Sequence, residues 1–151
     1  MKKIFLMINA IFFWSTILSA HGVEHKTVSE TDLFSKTNSY YKEKVEPIFR
    51  QKCFDCHSTQ TQYPWYYKIP IVKSILDSDI QEGMEHMDMT DGFPFKGHHS
   101  LSEQLEGIEN VVAEGSMPPW LYRLGHKDSS LTEEEKQVIL EWIHKMSLYT
   151  F

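Results

Sequence analysis

Residues 53 to 58 read Cys53-Phe54-Asp55-Cys56-His57-Ser58, CFDCHS, and they hold the only two cysteines of the chain. Two thiols three positions apart, with a histidine directly behind the second, suit three chemistries: a zinc site, a dithiol and disulfide couple, or a haem joined to the chain through both sulfurs. Zinc wants four ligands, and no second cysteine pair exists to complete the set. A redox dithiol belongs beside a βαβ pattern and has no use for His57. A disulfide closing so short a loop adds little stability through loop entropy. Covalent haem uses the whole pattern: the C-x-x-C spacing lets both sulfurs reach one porphyrin edge, and the adjacent imidazole then lies under the iron. The motif therefore predicts one haem c, held by Cys53 and Cys56, with His57 as proximal metal ligand.

The sequence around the motif is helical in pattern. From Tyr41 to Lys52 the apolar positions Val45, Ile48 and Phe49 recur at helical spacing, and Pro47 is expected in the first turn, where its missing N–H costs nothing. Ile71 to Met89 carries Val72, Ile75, Leu76, Ile80, Met84 and Met87 on one side of a second helix. Pro70 marks its start, and Asp77-Ser78-Asp79 is a candidate break. Ser100-Leu101-Ser102-Glu103 has the spacing of a capping box ahead of Leu105, Ile108, Val111 and Val112, and Gly115 ends that third helix. Thr132 to Glu135 repeats the capping pattern before Val138, Ile139, Trp142, Ile143 and Met146. Tyr63 to Tyr67 is aromatic but contains Pro64 and is followed by Pro70, so it reads as an irregular packed loop. No stretch alternates with period two. The expected fold class is all-α, with about four helices and long aromatic loops.

The chain has 151 residues, within the size of one domain. Residues 1–20 read as a secretory signal peptide: Lys2 and Lys3 are followed by an apolar run from Ile4 to Leu18 and a small residue, Ala20. That run is shorter than a bilayer span, so cleavage is favoured over an uncleaved N-terminal anchor, no stable membrane span is expected after it, and the protein is expected in the periplasm or otherwise exported. Residues 21–40 are polar and read as a flexible N-terminal arm, which leaves 41–151 as the haem-binding domain. Without Lys2 and Lys3, 13 basic residues face 21 acidic ones, and the formal charge falls from −6 to −8. Such a balance argues against nucleic acid and anionic membranes, and suits docking to a basic patch on a redox partner protein.

Haem iron has a sixth position, and the candidates are Met84, Met87, Met89, Met117 and Met146 with His86, His98, His99, His126 and His144. Met117 is favoured by its context, Gly115-Ser116-Met117-Pro118-Pro119-Trp120. Two prolines after it restrict the backbone to nonhelical conformations, so its thioether can point into a cavity instead of packing along a helix face. The main rival is the Met- and His-rich segment from 86 to 99.

The order of Val45-Glu46-Pro47-Ile48-Phe49, the CFDCHS motif, Tyr63-Pro64-Trp65-Tyr66, Gly115-Ser116-Met117-Pro118-Pro119, Leu131 to Glu135 and Trp142 resembles the bacterial single-haem "haem-binding domain" proteins, relatives of small cytochromes c. The resemblance covers roughly residues 40 to 147, with Tyr63 where the family usually has tryptophan. It implies a cytochrome c-like bundle around one covalently attached haem, with Cys53, Cys56, His57 and Met117 binding the cofactor and His57 and Met117 as metal ligands. It also implies that the helices near 43–52 and 132–146 pack across each other. With both axial positions filled, the reading is a mono-haem electron carrier rather than a catalyst, in which Tyr63, Trp65, Tyr66, Tyr67 and Trp120 wall the haem from water. The alternative is a haem-based sensor or a peroxidase-like enzyme with a displaceable sixth ligand.

Overall fold

Apolar spacing of three and four residues carries through to the structure, a computed structural model in which residues 30–150 are described. Among them there is no β-strand, only an isolated antiparallel bridge between Asp88 and Lys96, and the fold is all-α. The expected signal peptide and the first part of the expected arm lie outside the described residues. The rest of that arm departs from expectation. Helix α1 spans Glu30–Tyr40 and continues through a π-helical turn, Tyr41–Val45, into α2, Glu46–Lys52. Phe34, Thr37, Tyr41 and Val45 lie along one side of this run. Phe34 packs on Phe93 with ring centroids 6.3 Å apart, Thr37 is buried, and Tyr40 donates to Glu141 (2.8 Å). The packed helix starts at Glu30 rather than Tyr41, because a stripe with threonine as its second member looks polar in the sequence.

Pro47 is in the first turn of α2, as expected, but α2 follows the π turn without a gap, so the proline lies within a helical run from 30 to 52. A proline ring inside such a run collides with the carbonyl four residues back. The π turn relieves this. The Glu46 N–H donates to Tyr41 O, five residues back, and the extra residue in the turn makes room for the ring.

The core forms where this run and α5, Leu101–Glu114, each pack against α7, Glu133–Thr150. Tyr41, Val45 and Phe49 pack with Ile139, Trp142, Ile143 and Met146, all of them at most 1% exposed. The Trp142 ring lies 5.3 Å from Tyr41 and 5.1 Å from Phe93, and Phe49 meets it edge-on at 6.1 Å. The two predicted caps are present. Ser100 Oγ accepts from Glu103 N–H while the Glu103 carboxylate accepts from Ser100 N–H, and Thr132 and Glu135 repeat the exchange. Gly115 closes α5 at φ 67°, a left-handed conformation that glycine adopts without a Cβ clash.

Two expectations change on the other side of the molecule. Helix α4, Pro70–His86, runs unbroken through Asp77-Ser78-Asp79, where Lys73 pairs with Asp77 at 2.5 Å across one turn. The aromatic loops are partly ordered as a 3₁₀ turn, Trp65–Lys68, and as a short helix α6, Trp120–Gly125. Both are too brief for a periodic pattern to show.

Candidate haem site

The motif folds as its own short helix, α3, Phe54–His57, set off from α2 by a break at Cys53 (φ −121°). Phe54 anchors it: the ring is 3% exposed and lies 4.8 Å below the Arg50 guanidinium. Asp55 ties it sideways, its carboxylate accepting from the Gln62 N–H (2.9 Å) and from the Tyr122 hydroxyl on α6 (2.6 Å). Helix α4 approaches closely behind it, for a Cβ on Gly83 would lie 2.7 Å from Cys56 O.

The segment after α4 straps the histidine in place. The Met89 N–H donates to His57 O (2.7 Å), and His57 Nδ1 lies 3.0 Å from Met87 O. A carbonyl oxygen can only accept, so the neutral imidazole carries its proton on Nδ1 and leaves the Nε2 lone pair free. Burial lowers the His57 pKa, which favours this neutral form. A donor on the far ring nitrogen is the usual arrangement behind a metal-binding histidine.

Both cysteines are free and half-buried. Burial pushes the Cys53 thiol up to about 12, with the neighbouring Cys56 and Glu135 adding to it, and pushes Cys56 up to about 11. A redox dithiol needs the opposite shift toward thiolate. Among the described residues no group of three or more His, Cys, Asp or Glu side chains could hold a bare metal ion.

Cys53, Cys56, His57 and Met117 all line one cavity of about 690 Å³, inside the range of roughly 300–1,000 Å³ expected for a cofactor pocket. Its walls come from α3, α4, the strap after α4, α5 and the 117–119 segment. Gly107 is the informative wall residue. It lies inside α5, where glycine costs about 1 kcal/mol relative to alanine, yet a Cβ there would meet no atom within 4 Å. A bare stretch of helix facing open space suits a flat ligand pressed against it. Two thiols, an imidazole with a free ring nitrogen, a thioether and an apolar cleft therefore fit haem.

The rival ligands divide. His86, Met87, Met89 and His99 also line the cavity, with the His86 and His99 rings stacked 5.6 Å apart. Met146 is core, His98 and His144 are exposed, and Met84 and His126 lie outside the cavity wall. The expected aromatic shield does not form, since Tyr63, Trp65, Tyr66, Tyr67 and Trp120 are absent from the wall and Trp65 is 80% exposed. The aromatic rings that line the cavity are Phe49 and Tyr122 instead. Neither Tyr122 nor Gly107 is singled out by spacing alone, although a lone glycine within a helical stripe is a usable signal for the latter.

An all-α fold enclosing an apolar cleft with this donor set defines a haem-binding protein. The chain matches the haem-binding domain family over residues 10–145, and it belongs to that family. It is also 31% identical over 105 residues to "Cytochrome c peroxidase Ccp" of Escherichia coli (strain K12), an alignment that covers 68% of this chain and 23% of the relative. The chain thus spans about a quarter of the curated relative it matches. No solved structure matches it.

Proposed function

We propose that the protein is an exported electron carrier with a single haem c, attached through Cys53 and Cys56 and ligated by His57 and Met117. The observation that carries this reading is the convergence of these four residues on one cavity, with His57 Nδ1 committed to Met87 O. Bound there, haem supplies an iron that alternates between ferric and ferrous states. The chain's own residues do the rest. The thiols anchor one edge, the strap at 87–89 fixes the imidazole plane, and the apolar wall excludes water and thereby favours the reduced, less charged state. Export is supported by the leader-like start of the sequence.

Met117 is favoured as sixth ligand by where its rivals stand. Met87 and Met89 are bound through their own backbones to the ring and carbonyl of His57, and His86 directly precedes Met87. Their backbones lie against His57, which would favour Met117 as the residue to hold the iron opposite it. His99 stacks on His86.

The second reading, a peroxidase-like enzyme, is suggested by the printed name of the relative and by His86 and His99 in the cavity wall. Acid–base help at an open sixth position would call on a titratable group in the cavity wall, and His86 and His99 would be the residues to supply it. Carbon monoxide added to the reduced protein separates the readings. A carrier with both axial positions filled binds it slowly or incompletely without denaturant, and rapid, complete binding would sink the carrier model. Denaturing electrophoresis with a haem stain tests attachment in the same preparation, because only a covalent haem stays with the chain.

A further inference from the structure

The aromatic stretch Tyr63 to Tyr67 takes no part in the cavity wall, yet it is joined to that wall by a series of rings in contact. Tyr122 is the first member. It lines the cavity, and its hydroxyl donates to Asp55 Oδ2 at 2.6 Å. Its ring stacks on His126 with centroids 3.9 Å apart and planes 10° from parallel. His126 meets Tyr66 edge to face at 6.3 Å, and Tyr66 meets Trp65 in the same way at 5.6 Å. Trp65 is 80% exposed, so the series starts in the cavity and ends in solvent.

The backbone holds these rings in line. His126 Nδ1 lies 3.0 Å from Tyr122 O, a carbonyl that can only accept, which fastens the imidazole to the turn that carries Tyr122. A Cβ on Gly125 would lie 2.6 Å from the Tyr66 hydroxyl, so glycine there leaves room for Tyr66 against α6. Trp120 provides the contrast. It is 66% exposed and directly follows Pro119 of the cavity wall, but among the described residues it has no ring partner. Tyrosine and tryptophan give up a single electron more readily than other aromatic side chains, and tyrosine does so as its phenol proton leaves. The Asp55 carboxylate is placed to receive that proton from Tyr122. Burial and the same carboxylate hold the Tyr122 phenol above the usual tyrosine range, so it keeps its proton until an electron is taken.

We propose that Tyr122, His126, Tyr66 and Trp65 form a path along which Trp65 supplies electrons to the cavity when a hydroperoxide is reduced there. Bound haem supplies the iron at which the O–O bond is cleaved. Cleavage to an alcohol and water consumes two electrons and two protons. Tyr122 passes an electron inward and its proton to Asp55, and it recovers both when an electron arrives from Tyr66 and, behind it, from Trp65. The stacked His126 ring bridges the two tyrosines. After two such turns the Trp65 indole has lost two electrons, gained the oxygen of one water molecule and released two protons, which balances what the cavity consumed. This goes beyond the carrier reading: it requires haem in the cavity, but not Met117 as the sixth ligand.

The haem-loaded protein, treated with tert-butyl hydroperoxide in water enriched in heavy oxygen and then digested for peptide mass spectrometry, tests the path. Trp65 is expected to gain one oxygen atom drawn from the solvent, and Trp120 none. Tyr122→Phe and, separately, Tyr66→Phe are each expected to abolish the gain at Trp65 and to hasten bleaching of the haem, because the oxidising equivalents then stay in the cavity. Tyr66 lies outside the cavity wall, so its variant serves even where loss of the Tyr122 hydroxyl loosens the tie to Asp55. Oxygen on Trp65 that derives from the hydroperoxide, equal labelling of Trp65 and Trp120, or labelling that persists in both variants overturns the proposal. So does a Trp65 that stays unlabelled on a protein of normal haem colour, which leaves the haem reading standing. A protein that carries no haem colour defeats the haem reading, and the path with it.

Discussion

Helices α4 and α7 are almost equal in length, 17 and 18 residues, and are built in opposite ways. Helix α7 sinks Ile139, Trp142, Ile143 and Met146 into a core shared with α1, the π turn, α2 and α5, whereas α4 buries no side chain fully. The reason is what each helix packs against. Helix α7 meets other side chains, while α4 packs on α3 and the 3₁₀ turn and gives part of its inner face, Asp79, Glu82, Gly83 and His86, to the cavity. One half of the molecule carries its own core. In the other half the proposed haem would fill the cleft.

The largest effect that follows is from removing the anchor. Cys53→Ala with Cys56→Ala is expected to abolish haem staining after denaturing electrophoresis. Hydrogen exchange should then accelerate across α4 and α6 while α7 stays protected. Equal loss of protection in both halves would break the comparison. Trp142→Ala attacks the other half and should cost about 3–5 kcal/mol of stability in denaturant titration, with or without haem, because it empties the centre of the aromatic core.

Two glycines give a sharper contrast at smaller scale. A Cβ on Gly83 would lie 2.7 Å from a backbone oxygen of Cys56, so Gly83→Ala should displace α4 from α3, cost about 1–3 kcal/mol and disturb the haem spectrum. Gly107→Ala meets no protein atom within 4 Å, so the haem-free protein should gain about 1 kcal/mol from helix propensity while taking up less haem. Thermal melts with and without haem separate the two. The smallest effect concerns acid. Burial depresses the His57 pKa below 6.5, so the unfolded chain takes up a proton first as pH falls. Stability of the haem-free protein is therefore complete above that value and declines below it, and His57→Gln should flatten that part of the pH profile in calorimetry.

Much of the scaffold was legible in the sequence because its signals are local. The Ser100–Glu103 and Thr132–Glu135 caps, the Gly115 stop and the stripe along α7 each depend on residues within two turns of one another. What stayed hidden depends on distant partners. Thr37 becomes core only because α7 and the 93–95 loop meet its helix, and the π turn exists to accommodate Pro47 within a run whose earlier half looks polar. In the candidate site the CFDCHS signature and Met117 stand out by type and spacing. Tyr122 and the strap behind His57 do not, because their role is a hydrogen bond to a residue 67 positions away in one case and 30 in the other. The outward turn of Trp65 and Trp120 was illegible for the same reason: aromatic residues near a haem motif look alike whether they face the cleft or solvent.

On the proposed ligation His57 and Met117 would close the iron from both sides, and the far-red absorption of the oxidised protein reads this out. The protein, expressed with a haem-attachment system, should show the thioether-to-ferric-iron band, and Met117→Ala should lack it while keeping its covalent haem. A band that survives in Met117→Ala would hand the position to another methionine and contradict the account.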